Sequence, residues 1–169
     1  FILAGAIVGS AIGAFSARKI AMTSMPQLVA IFNGFGGAAS AVIATAALIK
    51  LIDDGADIAQ DVSITIMASV IVGGVTLTGS FIAYGKLQGI VPTRPILLPI
   101  RNVINVALLI GMIASIVWLV IDPSMTAFMI AGAIALALGI LVVIPIGGAD
   151  MPVVIALLNS YSGIAGAAT

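Results

Sequence analysis

The chain contains no cysteine, no histidine and no glutamate. Without thiolates or imidazoles it cannot form a disulfide, a thiolate nucleophile or the usual zinc site, and no metal site is expected. Charge is scarce too: 7% of the 169 residues are charged, against roughly 25% in a soluble domain. Six basic residues balance six aspartates, so no electropositive surface would draw nucleic acid. What remains is apolar, with 62% hydrophobic and only 5% aromatic positions. This composition excludes a water-soluble domain. At about 20 residues per crossing, the chain holds six or so membrane-spanning helices joined by short turns. It opens at Phe1, with neither Met nor a charged leader, so a fragment is expected here and not a signal peptide.

Apolar runs bounded by charge, Pro or Gly predict spans at about 1–17, 26–49, 62–85, 102–121, 125–146 and from 152 onward. The expected fold is an all-α integral membrane bundle of about six transmembrane helices, a fragment of a larger membrane domain. Residues 1–169 then form one transmembrane domain truncated at both ends, with no soluble domain. Between the spans lie a basic turn with Arg18 and Lys19, an acidic loop with Lys50, Asp53, Asp54, Asp57 and Asp61, and a Pro-rich basic loop with Lys86, Arg94 and Arg101. The two basic loops fall on one side and the acidic loop on the other. By the positive-inside tendency, the loops at 18–25, 86–101 and 147–151 are cytoplasmic. Asp61 stands where an N-cap is wanted, Pro26 and Pro152 sit near first helical turns, and Pro145 should kink or end the fifth span. Tyr84 and Trp118 lie near span ends, as interface aromatics do.

Gly5, Gly9 and Gly13 form a ladder of small residues at helical spacing, and Ala131, Ala135 and Gly139 a weaker one. Both predict close helix packing, inside the bundle or against a partner. The G-x-G-x-x-A string at 34–39 matches part of a dinucleotide fingerprint, but it lies inside an apolar helical run and not between a strand and a helix. It is set aside.

An internal echo is more informative. Ser24-Met25-Pro26 through Asn33 and Asp150-Met151-Pro152 through Asn159 both place Asn seven residues after proline. The likeness continues through Phe35/Tyr161, Gly37/Gly163, Ala39/Ala165 and Ala41/Ala167. Four spans separate the copies, so both helices run the same way and both amides sit at one depth, about 10 Å from the cytoplasmic end. A carboxamide in hydrocarbon is costly without a partner, so both are expected to point into the bundle. Each heads a stripe of small residues: Gly36, Gly37 and Ser40 beyond Asn33; Ser162, Gly163 and Gly166 beyond Asn159. Such a stripe admits another helix or a file of water, and the residues alone leave both open. Asp150 is the one carboxylate at a cytoplasmic span end. It reads either as a helix cap or as a switchable charge at the mouth of a polar path, with Gly147-Gly148 as a hinge. No titratable side chain lies deep in any span.

Gly147-Gly148-Ala149-Asp150-Met151-Pro152-Val153-Val154, followed by Leu158-Asn159-Ser160-Tyr161-Ser162-Gly163, resembles the signature of the membrane domain of proton-translocating NAD(P) transhydrogenase, in its beta-type subunit. The segments 22–31 and 78–87 resemble that subunit too, in the same order, so the likeness covers essentially the whole chain. It implies a complex that passes hydride between NAD(H) and NADP(H) in soluble domains while protons move inward across the membrane. It also implies roles in proton movement for Asp150 and Asn159 and no nucleotide bound by this chain itself; with Asn33 and Ser162 these make the expected proton path, Gly5, Gly9, Gly13 and Gly163 are the expected helix-packing positions, and no catalytic residue is expected in this chain. The implied partners are alpha-type subunit helices, an NADP(H)-binding domain, the lipid of a bacterial inner membrane and a second copy of the complex. Many members of the family carry His where this chain has Asn33. Asn cannot titrate, so an imidazole supplied by the alpha-type subunit is expected, its pKa suited to relay near neutral pH. Two other classes remain in view: a secondary transporter segment, since such proteins contain repeats, and a structural anchor whose amides only lock helices together.

Overall fold

A computed structural model describes residues 1–55 and 58–168, so Asp57 of the expected acidic loop lies outside the described residues. All regular structure among them is helical: α1 (Ile2–Lys19), α2 (Met25–Asp53), α3 (Gln60–Leu87), α4 (Arg101–Ile121), α5 (Met125–Val143) and α6 (Met151–Ala168), with short 3-10 turns at Met22–Ser24 and Gly148–Asp150. The expected all-α membrane bundle is what forms. α1 to α5 are long and apolar enough to cross a membrane by length and composition. At 1.5 Å per residue, α2 is about 43 Å long, against a hydrocarbon core of about 30 Å.

The proline expectations hold. α2 carries Pro26 in its first turn, where a missing amide costs least, and α5 stops at Val143, two residues before Pro145. Asp61 does not cap α3: the helix begins at Gln60 with Ala59 at the cap, and Asp61 lies in the first turn, near the positive end of the helix dipole. Ser124 does cap α5, accepting from the Ala127 amide at 3.3 Å.

α3 is the central helix, packed against α2, α4, α5 and α6. Its glycines explain how. α2 and α3 cross antiparallel at Gly37 and Gly73, where a Cβ on Gly37 would meet the Gly73 carbonyl oxygen at 2.7 Å. On the opposite side, Gly74 lies against Ala135, and Gly139 against Val75 and Thr78. Ala131, Ala135 and Gly139 are all buried, so the ladder in the fifth span packs as expected. The Thr78 hydroxyl donates across that seam to the Leu136 carbonyl at 2.9 Å. Two apolar clusters fill the bundle. One joins Ala44, Leu48, Ile66, Met67, Val70, Leu119, Ala127, Phe128 and Ala131. The other joins Ala30, Ala83, Val143, Met151, Val154, Ile155 and Leu158 and sits under the turns that lead into α2 and α6.

The ladder in α1 behaves differently. No residue of α1 is buried, and a Cβ on Gly5, Gly9 or Gly13 would have nothing within 4 Å. Packing of that stripe inside this chain is therefore not seen. Gly163 is equally open, which leaves both glycine faces free for helices other than those described.

Candidate functional site

The echo in the sequence is an echo in the backbone. A 3-10 turn leads into each helix of the pair, at 22–24 and 148–150, entered through extended residues with almost the same dihedrals: Ala21 at φ −64, ψ 147 and Gly147 at φ −69, ψ 151. α2 and α6 then run parallel and touch. Their shared groove holds two adjoining cavities. The first, about 380 Å³, is lined by Met25, Pro26, Val29, Pro152, Ile155, Ala156 and Asn159. The second, about 270 Å³ and deeper along the helices, is lined by Val29, Phe32, Asn33, Gly36, Asn159 and Ser162. Both amides border the second cavity, in keeping with the common depth read from the spacing.

They are not equivalent. Asn33 is 7% exposed, and its Nδ2 donates to Ser80 Oγ of α3 at 2.9 Å. Ser80 is fully buried, so the amide and the hydroxyl satisfy each other inside the bundle. Gly34 lies beside the pair, where a Cβ would stand in ordinary contact, 3.4 Å from Ser80 Cβ. On the groove side, Ser162 Oγ lies 3.5 Å from Asn33 Oδ1 and 3.0 Å from its own helix's Asn159 carbonyl. Its single proton serves one acceptor at a time, and the shorter bond holds it. Asn159 itself is exposed, and its amide bonds to no described residue. The expected inward orientation therefore holds for Asn33 and fails for Asn159, whose side chain stands on the rim of the groove. The physical reason lies in what faces α3: Gly37 of α2 lets that helix come in close beside Asn33, whereas α6 presents Met151, Val154, Ile155 and Leu158 to the core.

Asp150 ends the second 3-10 turn and is exposed. Its carboxylate takes no hydrogen bond or ion pair from any described residue, so it is not acting as a side-chain cap. The hinge reading of Gly147-Gly148 changes too. Neither residue has positive φ, and a Cβ on Gly148 would stand 3.1 Å from Thr93 Cβ, so this glycine serves a close approach of the 88–100 loop. The string at 34–39 lies in the middle of α2, with Gly34 and Gly37 already covered by α3. No phosphate could approach those amides, so the string does not fit a nucleotide.

Sequence reasoning passed over two side chains. Ser80 lies seven residues before the end of α3 and Asn33 eight residues after the start of α2. In antiparallel neighbours that is the same depth, so counting from helix ends finds the pair. Lys86, expected in a basic loop, is the penultimate residue of α3 and fully buried. Only the fold of the following loop hides it, and no local signal marks that.

These features define a polytopic helical membrane protein with a polar groove between two parallel, sequence-related helices. The model of the NAD(P) transhydrogenase beta subunit family matches residues 1–169. Two curated relatives, both named NAD(P) transhydrogenase subunit beta, come from Rhodospirillum rubrum and from a named strain of it; each is 40% identical over 164 residues. The chain belongs to the NAD(P) transhydrogenase beta subunit family. The matches cover 95% of this chain and 35% of each relative, so it spans about a third of their length.

Proposed function

We propose that this chain is the proton-conducting part of the membrane domain of a transhydrogenase complex, which couples hydride transfer between NAD(H) and NADP(H) to inward proton movement. The observation that carries the proposal is the groove between α2 and α6. Its floor is Asn33, fixed by Ser80; its rim is Asn159; and Ser162 lies between them. Amides and hydroxyls cannot hold a proton near neutral pH, but they can order a file of water and pass its hydrogen bonds along. Asp150, about 13 Å along the helix from Asn159, is the free acid at the end where the groove begins. It serves as the exchanging charge at the inner mouth.

On this reading the turns before α2 and α6 and the 88–100 loop face the cytoplasm of a bacterium whose inner membrane holds the chain. Hydrogen bonds between the 88–100 loop and the 144–148 turn support a common side for those two, and the basic loop residues support the inner one. The nicotinamide nucleotides belong to soluble domains of the complex, one of which docks near Asp150. The titratable relay is an imidazole from an alpha-type helix lying in the α2/α6 groove, where Asn159 awaits a partner. In the complete complex reconstituted into vesicles, Asp150→Ala and Asn159→Leu should each abolish proton-coupled transhydrogenation while assembly persists. Wild-type coupling in both variants would remove the roles assigned here. Retained activity with apolar isosteres at 33 and 159 would instead favour the structural-anchor reading, and substrate flux in vesicles without nucleotides the transporter reading.

A further inference from the structure

Lys86 is the largest fully buried side chain among the described residues. No described carboxylate pairs with it. Its Nζ donates instead to two backbone carbonyls, Ile146 O at 2.9 Å and Arg94 O at 3.2 Å. Taking an ammonium out of water is costly, and an apolar side chain would fill the same volume without that cost. The compensation must come from the two acceptors, and both belong to connecting segments rather than helices. Arg94 lies in the loop between α3 and α4, and Ile146 lies four residues before Asp150.

The same two segments are tied twice more: the Gly148 amide donates to Thr93 O at 2.8 Å, and the Ile96 amide to Ile144 O at 3.4 Å. The loop folds back over the end of α3 because Gly89 takes φ +71 and the Val91 amide returns to Gly85 O at 3.0 Å. A cavity of about 440 Å³ opens beside this junction, lined by Leu87, Thr93, Arg94 and Gly147–Ala149 as well as Lys86. Lys86 exposes no surface of its own there, and its ammonium is turned to the two carbonyls. It acts inward, on the backbone.

We infer that Lys86 is a positioning residue for Asp150: its buried ammonium staples the 144–150 turn to the 88–100 loop and so fixes where the gate carboxylate stands. The inference rests on the role proposed above for Asp150. It makes the basic loop a second handle on the gate, since displacement of residues 93–96 pulls on the turn through the two amide bonds and the shared lysine.

The test uses the complete complex in lipid, with Lys86→Met and Lys86→Gln compared to wild type by two readouts. In Lys86→Met, amide hydrogen exchange over 93–96 and 146–150 should rise about tenfold or more, as expected when charge-assisted bonds are lost, while amides in the middle of α2 keep their protection. Coupled transhydrogenation should fall in Lys86→Met alone, toward the level of Asp150→Ala. Lys86→Gln retains two N–H donors and should recover part of both. Unchanged exchange at Gly148, or wild-type coupling in Lys86→Met, would overturn the inference. Should Lys86→Met not assemble, Lys86→Gln decides it: exchange faster than wild type at these segments alone supports the staple, and wild-type exchange refutes it. If Asp150→Ala itself keeps full coupling, the proposed gate is wrong, yet the exchange measurement still judges the staple.

Discussion

α2 and α6 leave matching 3-10 turns, carry proline at the same place and put Asn at the same depth, but their surroundings differ. Asn33 is sealed against Ser80, whereas Asn159 looks out across the groove. The glycines make the same contrast. Gly37 is pressed on the carbonyl of Gly73, and its counterpart Gly163 has nothing within 4 Å. The repeat supplies two equivalent helices, and the neighbour decides which is structural and which is open. α2 is locked into the bundle by α3, and α6 offers its polar stripe to whatever lies alongside.

The largest effect expected from this contrast is steric. Gly37→Ala puts a methyl into backbone that cannot recede and should cost about 1–3 kcal/mol or block folding. Gly163→Ala should leave thermal unfolding of the chain's own helices unchanged. Equal tolerance at both positions would erase the asymmetry. Next come the amides. Asn33→Leu should lower stability by about 1 kcal/mol, because Ser80 loses its partner in the membrane interior, and should also lose coupling. Asn159→Leu should lose coupling at unchanged melting temperature. Reversed assignments would place the structural amide on the wrong helix. A smaller effect isolates the bond itself: Ser80→Ala combined with Asn33→Leu should show an interaction energy of about 0.5–1.5 kcal/mol in a double-mutant cycle, and strict additivity would deny it. Smallest of all, Asp150→Asn should not shift the melting temperature, since that carboxylate supports no described hydrogen bond.

Much of this was legible in the residues. Composition and run length gave an all-helical membrane bundle, the Met-Pro echo gave two parallel helices at one depth, and Pro145 marked the end of α5 within two residues. Rotational phase was less legible. α2 and α6 are apolar nearly all round, so periodicity does not say which face meets α3, and Asn159 was expected to point inward when it does not. Of the two small-residue ladders, the one in α5 packs as expected, with Gly139 against Val75 and Thr78, while no described residue lies against the one in α1. Spacing identifies a smooth face, as in α1, but not what lies against it, and the seams that close tightly run through Gly37, Gly73 and Gly139. Lys86 was beyond sequence reasoning because burial there depends on a loop returning through Gly89 and on two carbonyls 8 and 60 residues away.

The most direct test of the polar groove is its access to water. The chain has no cysteine, so Ala156→Cys, on the groove wall one turn from Asn159 toward Asp150, introduces one thiol into this chain. In vesicles holding the complete complex, with cysteines of the other subunits replaced, a charged thiol reagent added on the Asp150 side should label it, and Asp150→Ala should change the labelling rate. Labelling only from the opposite side, or none while an exposed control at Thr23→Cys reacts, would contradict a hydrated path that opens beside Asp150.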